Sequence, residues 1–256
     1  MGILDLSPLE FFQGLFSSIF VITFVITGLL IALRYFKTKK YTFLTIGIAW
    51  IGLSAGWIPD AINFILIIFD QNLALSTYLI IAIAFYPPST LLWLIGFTKL
   101  LDTKRRKELL ILFFIICIIS EILFFMFLYT DKEAFLGEYI NFFTVDFEIY
   151  SILLLSVSLL LVISVAILFS YNAIISPEPE IKLRGQLILA ASIAVTFGAI
   201  LDIIIGLFSD TAGAFGTIIL PLLVVIARVI LAISSVVFYC GFILPKSVKK
   251  LFLKKP

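Results

Sequence analysis

Seven apolar runs, each longer than the roughly 18 residues that read as a membrane-crossing helix, take up almost the whole chain. They lie at about 11–34, 42–69, 74–98, 109–129, 149–172, 187–208 and 215–244. The connections are short, apart from DKEAFLGEYINFFTVDFE (131–148), whose mixture of acids and aromatics suits a segment lying along the membrane interface. With 62% hydrophobic and only 13% charged residues, the composition leaves no room for a second, soluble domain. The expected fold is an all-α membrane protein, a single seven-helix domain over 1–256. The first ten residues hold Asp5 and Glu10 but no Lys or Arg, so the first span is expected to be retained, not cleaved as a signal peptide.

Charge orients the bundle. Arg34, Lys37, Lys39 and Lys40 follow the first span, and Lys99, Lys104, Arg105, Arg106 and Lys107 follow the third. Lys182 and Arg184 precede the sixth, while Lys246, Lys249, Lys250, Lys254 and Lys255 follow the last. That places 16 of the 18 basic residues on one side. The other side holds Lys132 among Asp5, Glu10, Asp70, Asp131, Glu133, Glu138, Asp146, Glu148 and Asp210. The positive-inside rule then predicts an outside N-terminus and a cytoplasmic C-terminus, in a multi-pass protein of the cell membrane. Basic clusters at the inner ends are topology anchors for anionic headgroups and imply no nucleic-acid partner.

Four ionisable residues interrupt the spans: Asp60, Glu121, Asp202 and Arg228. Gly52, Gly56, Asp60 and Asn63 recur at helical spacing and predict one stripe of small and polar side chains, with Pro59 kinking the helix beside the acid. At about 1.5 Å per residue, Asp60 and Glu121 lie roughly 15 Å, and Asp202 roughly 12 Å, below the acids that end their spans. All four are expected to meet, with Tyr86, Asn63, Ser235 and Tyr239 completing a network. Intramembrane ionisable groups mark ligand, proton or ion sites; the competing reading is a packing network with a buried ion pair. The candidate ligand-binding set is Asp60, Asn63, Tyr86, Glu121, Asp202, Arg228 and Tyr239.

A shift of 142 residues lays AGWIPDAINFI (55–65) on FGAILDIIIGL (197–207), pairing Gly56 with Gly198 and Asp60 with Asp202. It suggests a parallel 3+1+3 repeat.

No enzyme chemistry is legible. The chain has no His, which removes zinc, His-ligated haem and Ser-His or Cys-His sites, and no cofactor or metal is expected. GxSxG, phosphate-loop and dinucleotide fingerprints are missing, and the residues before Asp202 read GAIL where an intramembrane aspartyl protease would carry GxGD.

The helix count, predicted orientation and length are similar to the plan of microbial rhodopsins, and IARVILA is similar to their retinal-lysine segment. The lysine position is Arg228 and no span contains Lys, so the resemblance implies no retinal. LALSTYLIIAIAFYPPSTLLWLIGFTKLLDTKRRK (73–107), with AWIGLSAGW in the second span, resembles the seven-helix membrane sensor region of prokaryotic histidine kinases. No kinase segment follows here, so the resemblance implies a sensor that acts through a separate protein partner. Three functions fit these features: a stand-alone sensor or receptor-like protein binding a small ligand or proton in an outward-facing cavity, a small-solute or proton-coupled transporter, and a non-catalytic scaffold subunit.

Overall fold

The computed structural model describes residues 3–208 and 215–253. Asp210 and its loop, and Lys254 and Lys255, lie outside the described residues. Among the described residues seven helices are long and apolar enough to cross a membrane: α1 (Pro8–Thr38), α2 (Tyr41–Ile67), α3 (Leu75–Leu100), α4 (Arg106–Thr130), α5 (Ile149–Ile174), α6 (Pro179–Gly206) and α7 (Gly216–Ile243). The chain is a multi-pass membrane protein. A short helix, α8 (Lys246–Phe252), follows.

The ends of the spans follow local chemistry. Ser7 and Glu10 form a reciprocal capping box ahead of Pro8, so α1 starts before its apolar stretch. Lys39 and Leu244, both with positive φ, close α1 and α7. Arg184 donates to the carbonyls of Phe242 and Ile243, satisfying groups that the end of α7 leaves free.

Every proline inside a span starts a new helical segment. In α2 the first segment, Tyr41–Leu53, gives way to a 3₁₀ turn at Ala55–Trp57, and Pro59 opens the second segment, Ile58–Ile67. A π-helical turn at Ile80–Ala84 precedes Pro87, and another at Phe215–Ile219 precedes Pro221. At the first or second position of a helix the proline's missing N–H removes no hydrogen bond. The break in α2 therefore falls one turn before the expected kink, and it puts Asp60 in the first turn of a half-helix, where the dipole favours a carboxylate.

Six helices close a ring: α1 packs on α2 and α7, α2 on α3, α3 on α5, α5 on α6 and α6 on α7. The α1–α2 crossing needs glycine, since a Cβ on Gly47 would lie 2.5 Å from the Gly28 carbonyl oxygen. α4 leans on α3 from outside the ring. The stripe expected along α2 is divided: Gly52 and Gly56 face Ser89 and Tyr86 of α3. In the aligned pair of helices, α6 runs unbroken through Gly198 where α2 is interrupted.

The segment 131–148 is a helical turn, Lys132–Phe135, followed by an antiparallel hairpin of β1 (Gly137–Asn141) and β2 (Thr144–Phe147). Leu136, Phe143 and Val145 are buried, so this segment caps one end of the bundle. That end is called the hairpin end below, and the end carrying most Lys and Arg the basic end.

The basic half of the bundle is filled by aromatic rings. Trp50 stacks on Phe24 (centroids 4.6 Å apart) and on Phe238 (3.9 Å). Phe238 stacks in turn on Phe242 and on Trp93.

Candidate functional site

Asp60, Ser17 and Arg228 come from three helices and meet in the hairpin half of the ring. The Asp60 carboxylate, 4% exposed, accepts from the Tyr78 hydroxyl (2.8 Å) and the Ser17 hydroxyl (3.4 Å). Ser17 in turn accepts from Arg228 Nε at 3.0 Å. Arg228 Nη1 pairs with the Asp202 carboxylate, which also accepts from Trp57 Nε1 at 2.9 Å. The guanidinium lies over the Trp57 ring, its Cζ 5.7 Å from the centroid. The result is one chain of contacts, Tyr78–Asp60–Ser17–Arg228–Asp202–Trp57, running through α3, α2, α1, α7, α6 and back to α2.

The two acids are held differently. Asp202 meets the guanidinium directly, while among the described residues Asp60 has no ion pair and touches the cation only through the Ser17 hydroxyl. Two carboxyl groups thus share one guanidinium, and binding of one positive charge would neutralise the cluster.

Tyr86 adjoins this chain. Its hydroxyl packs against Gly56, 3.0 Å from where a Cβ would stand, so a larger residue at 56 would have to push the ring aside. Asn63 is fully buried and serves the hairpin end: its amide donates to the Phe142 carbonyl (2.6 Å) and its Oδ1 accepts from the Leu73 N–H (2.7 Å). Gln13 adds a bond to Thr144 at 3.3 Å.

Glu121 and Tyr239 do not join the cluster. Glu121 is on α4, the helix outside the ring, so overlapping depth brings it no nearer to Arg228. Tyr239, half-buried, is three turns along α7 from Arg228, against the aromatic-rich core. Ser235 belongs to a separate polar contact, bonded to Thr27 and to Trp50 Nε1 (2.9 Å).

Compared with protein-family models, curated proteins and solved structures, the chain matches none. The cluster must be read from its own chemistry.

Ser17, Tyr78 and Trp57 are additions that the sequence reading missed. Ser17 looks like a routine helix-packing serine, and Trp57 like part of the Trp-Gly pattern of α2. Tyr78 lies two turns before Tyr86 on α3, and that spacing of two tyrosines is the one signal that could have flagged it. No group of three or more His, Cys, Asp and Glu is arranged to hold a metal ion among the described residues.

Proposed function

We propose that this protein is a stand-alone seven-helix sensor of the cell membrane whose input is a single positive charge, a proton or small cation, taken up at Asp60. The observation that carries this reading is the unequal sharing of Arg228: Asp202 holds it directly, and Asp60 is buried without a cation of its own. A charge arriving at Asp60 changes what Ser17 and Arg228 must balance. Arg228 stands on α7, which runs to the basic end and into α8, where Lys249 pairs with Glu180 of α6. A shift of α7 would reach a cytoplasmic partner there.

The aromatic column favours sensing over transport. A transporter needs its site reachable from both faces in turn, and here the rings of Phe24, Trp50, Phe238 and Phe242 fill the basic half. The break in α2 and the two π-helical turns are the features a transporter would use, so proton flux into protein-loaded liposomes is the discriminating assay.

Trp57 supplies the reporter, because its indole contacts both Asp202 and Arg228. In lipid nanodiscs, acidification at constant salt should change the fluorescence of the wild type. The change should vanish in Trp57→Phe, and Asp60→Asn should abolish it while leaving the protein folded. An unaltered response in Asp60→Asn would sink the reading. The groups facing Asp60 are Tyr78, Ser17, Arg228, Asp202 and Tyr139, so a response that persists would lie with one of the others.

The same reading puts the hairpin end outside. A cysteine placed at Glu138 should react with an impermeant reagent added to intact cells, and one at Lys104 should not. The opposite pattern would invert the sensor.

A further inference from the structure

We infer that the cavity between α3, α4 and α5 is an intramembrane site for a lipophilic amine. The cavity measures about 290 Å³ and is separate from the Asp60 cluster, none of whose residues line it. That volume is at the lower edge of the roughly 300–1,000 Å³ of small-molecule sites, so the occupant is compact. It lies where α4 leans on α3 from outside the ring, with Pro87 of α3 in its wall. Leu153 and Val157, more than half exposed on its rim, open it sideways to lipid. A ligand therefore arrives from the bilayer.

Two polar atoms distinguish this cavity from a packing defect. Thr90, 5% exposed, lines it, and its Oγ1 has no hydrogen-bond partner. Threonine in a membrane helix normally bonds back to a carbonyl of the preceding turn, as Thr27 and Thr196 do here. A group entering the cavity can supply the missing bond. The second atom, Glu121 Oε1, stands next to the lining and not in it, and is buried and likewise without a partner.

Glu121 sets the charge of the occupant. The cavity is lined from Phe113 to Ser120 along α4 and from Tyr150 to Leu161 along α5, so Glu121 comes just beyond its hairpin-side end. It lies one turn from Cys117 on the same face of α4, and its carboxylate is an electrostatic neighbour of both Cys117 and Tyr150, two lining residues. No ion pair among the described residues reaches it. A carboxylate inside the membrane without a cation is costly, and an ammonium group with an apolar body supplies the cation and fills the space together. This site is independent of the reading of Asp60.

The test uses para-fluorophenylbutylamine and its neutral counterpart, para-fluorophenylbutanol, followed by fluorine NMR with the protein in zwitterionic nanodiscs and with empty discs as reference. The amine should show saturable line broadening and bind about tenfold or more tightly than the alcohol. Glu121→Gln should erase that preference while keeping the alcohol's binding, and Ser158→Leu, which fills the cavity, should weaken both compounds. Asp60→Asn should change neither. Absence of saturable binding to the wild type would overturn the proposal. So would equal affinity for the two compounds, or binding unchanged in Glu121→Gln and Ser158→Leu alike.

Discussion

Replacing Arg228 with methionine should destabilise the bundle by about 3–5 kcal/mol, the cost of breaking a buried ion pair from one side. Arg228 is 6% exposed and holds three things at once: the Asp202 carboxylate, the Ser17 hydroxyl and the face of Trp57. Without it, two carboxyl groups remain in the ring with no cation between them. Methionine keeps most of the apolar stem, so the loss reports charge and hydrogen bonding more than volume. The informative partner is the double variant Asp202→Asn/Arg228→Met, which removes both ends of the pair and should recover a large part of the loss. Chemical denaturation in detergent micelles reads both. If the single and double variants are equally unstable, the ion pair is not what joins α6 to α7.

Asn63→Ala should have the next largest effect, confined to one end of the molecule. The alanine leaves the Phe142 carbonyl and the Leu73 N–H without their side-chain partner, at a cost of about 1–3 kcal/mol for two partly buried polar groups. Because Asn63 joins α2 both to the hairpin turn and to the chain leading into α3, the hairpin should loosen first. Hydrogen exchange should quicken over Gly137–Phe147 while the α1–α7 contact keeps its protection. Uniform quickening through the ring would show that Asn63 supports the whole bundle and not the cap alone.

The spans were legible because lipid imposes one requirement on every one of them, a long apolar run, and their predicted limits fall close to those observed. The largest difference is at α6, which starts at Pro179 and not near 187. Its first turns carry Glu180, Lys182 and Arg184, and helical hydrogen bonding continues through residues that hydropathy alone reads as loop. The hairpin was missed for the opposite reason. Its two strands are short, and the alternation that buries Val145 but leaves Asp146 exposed is masked by the neighbouring Phe142 and Phe143. For the cluster, depth along the spans was readable but position around the ring was not. Asp60, Asp202 and Arg228 do converge, whereas Glu121, at similar depth, stands on the helix that the ring leaves out. Only the order of helices around the axis separates these cases, and that order comes from contacts between helices far apart in sequence.

That order also has a meaning in time. The Ser17–Arg228 bond closes the ring between its first and last helices, across 211 residues of sequence. At about 5–20 residues per second, the ribosome needs roughly 10–40 s to cover that stretch. For most of that interval Asp60 is already made and Arg228 is not. The newborn chain therefore passes through a stage in which an acidic half-helix waits in or beside the lipid for the seventh span, with the Ser17 and Tyr78 hydroxyls to bond but no guanidinium.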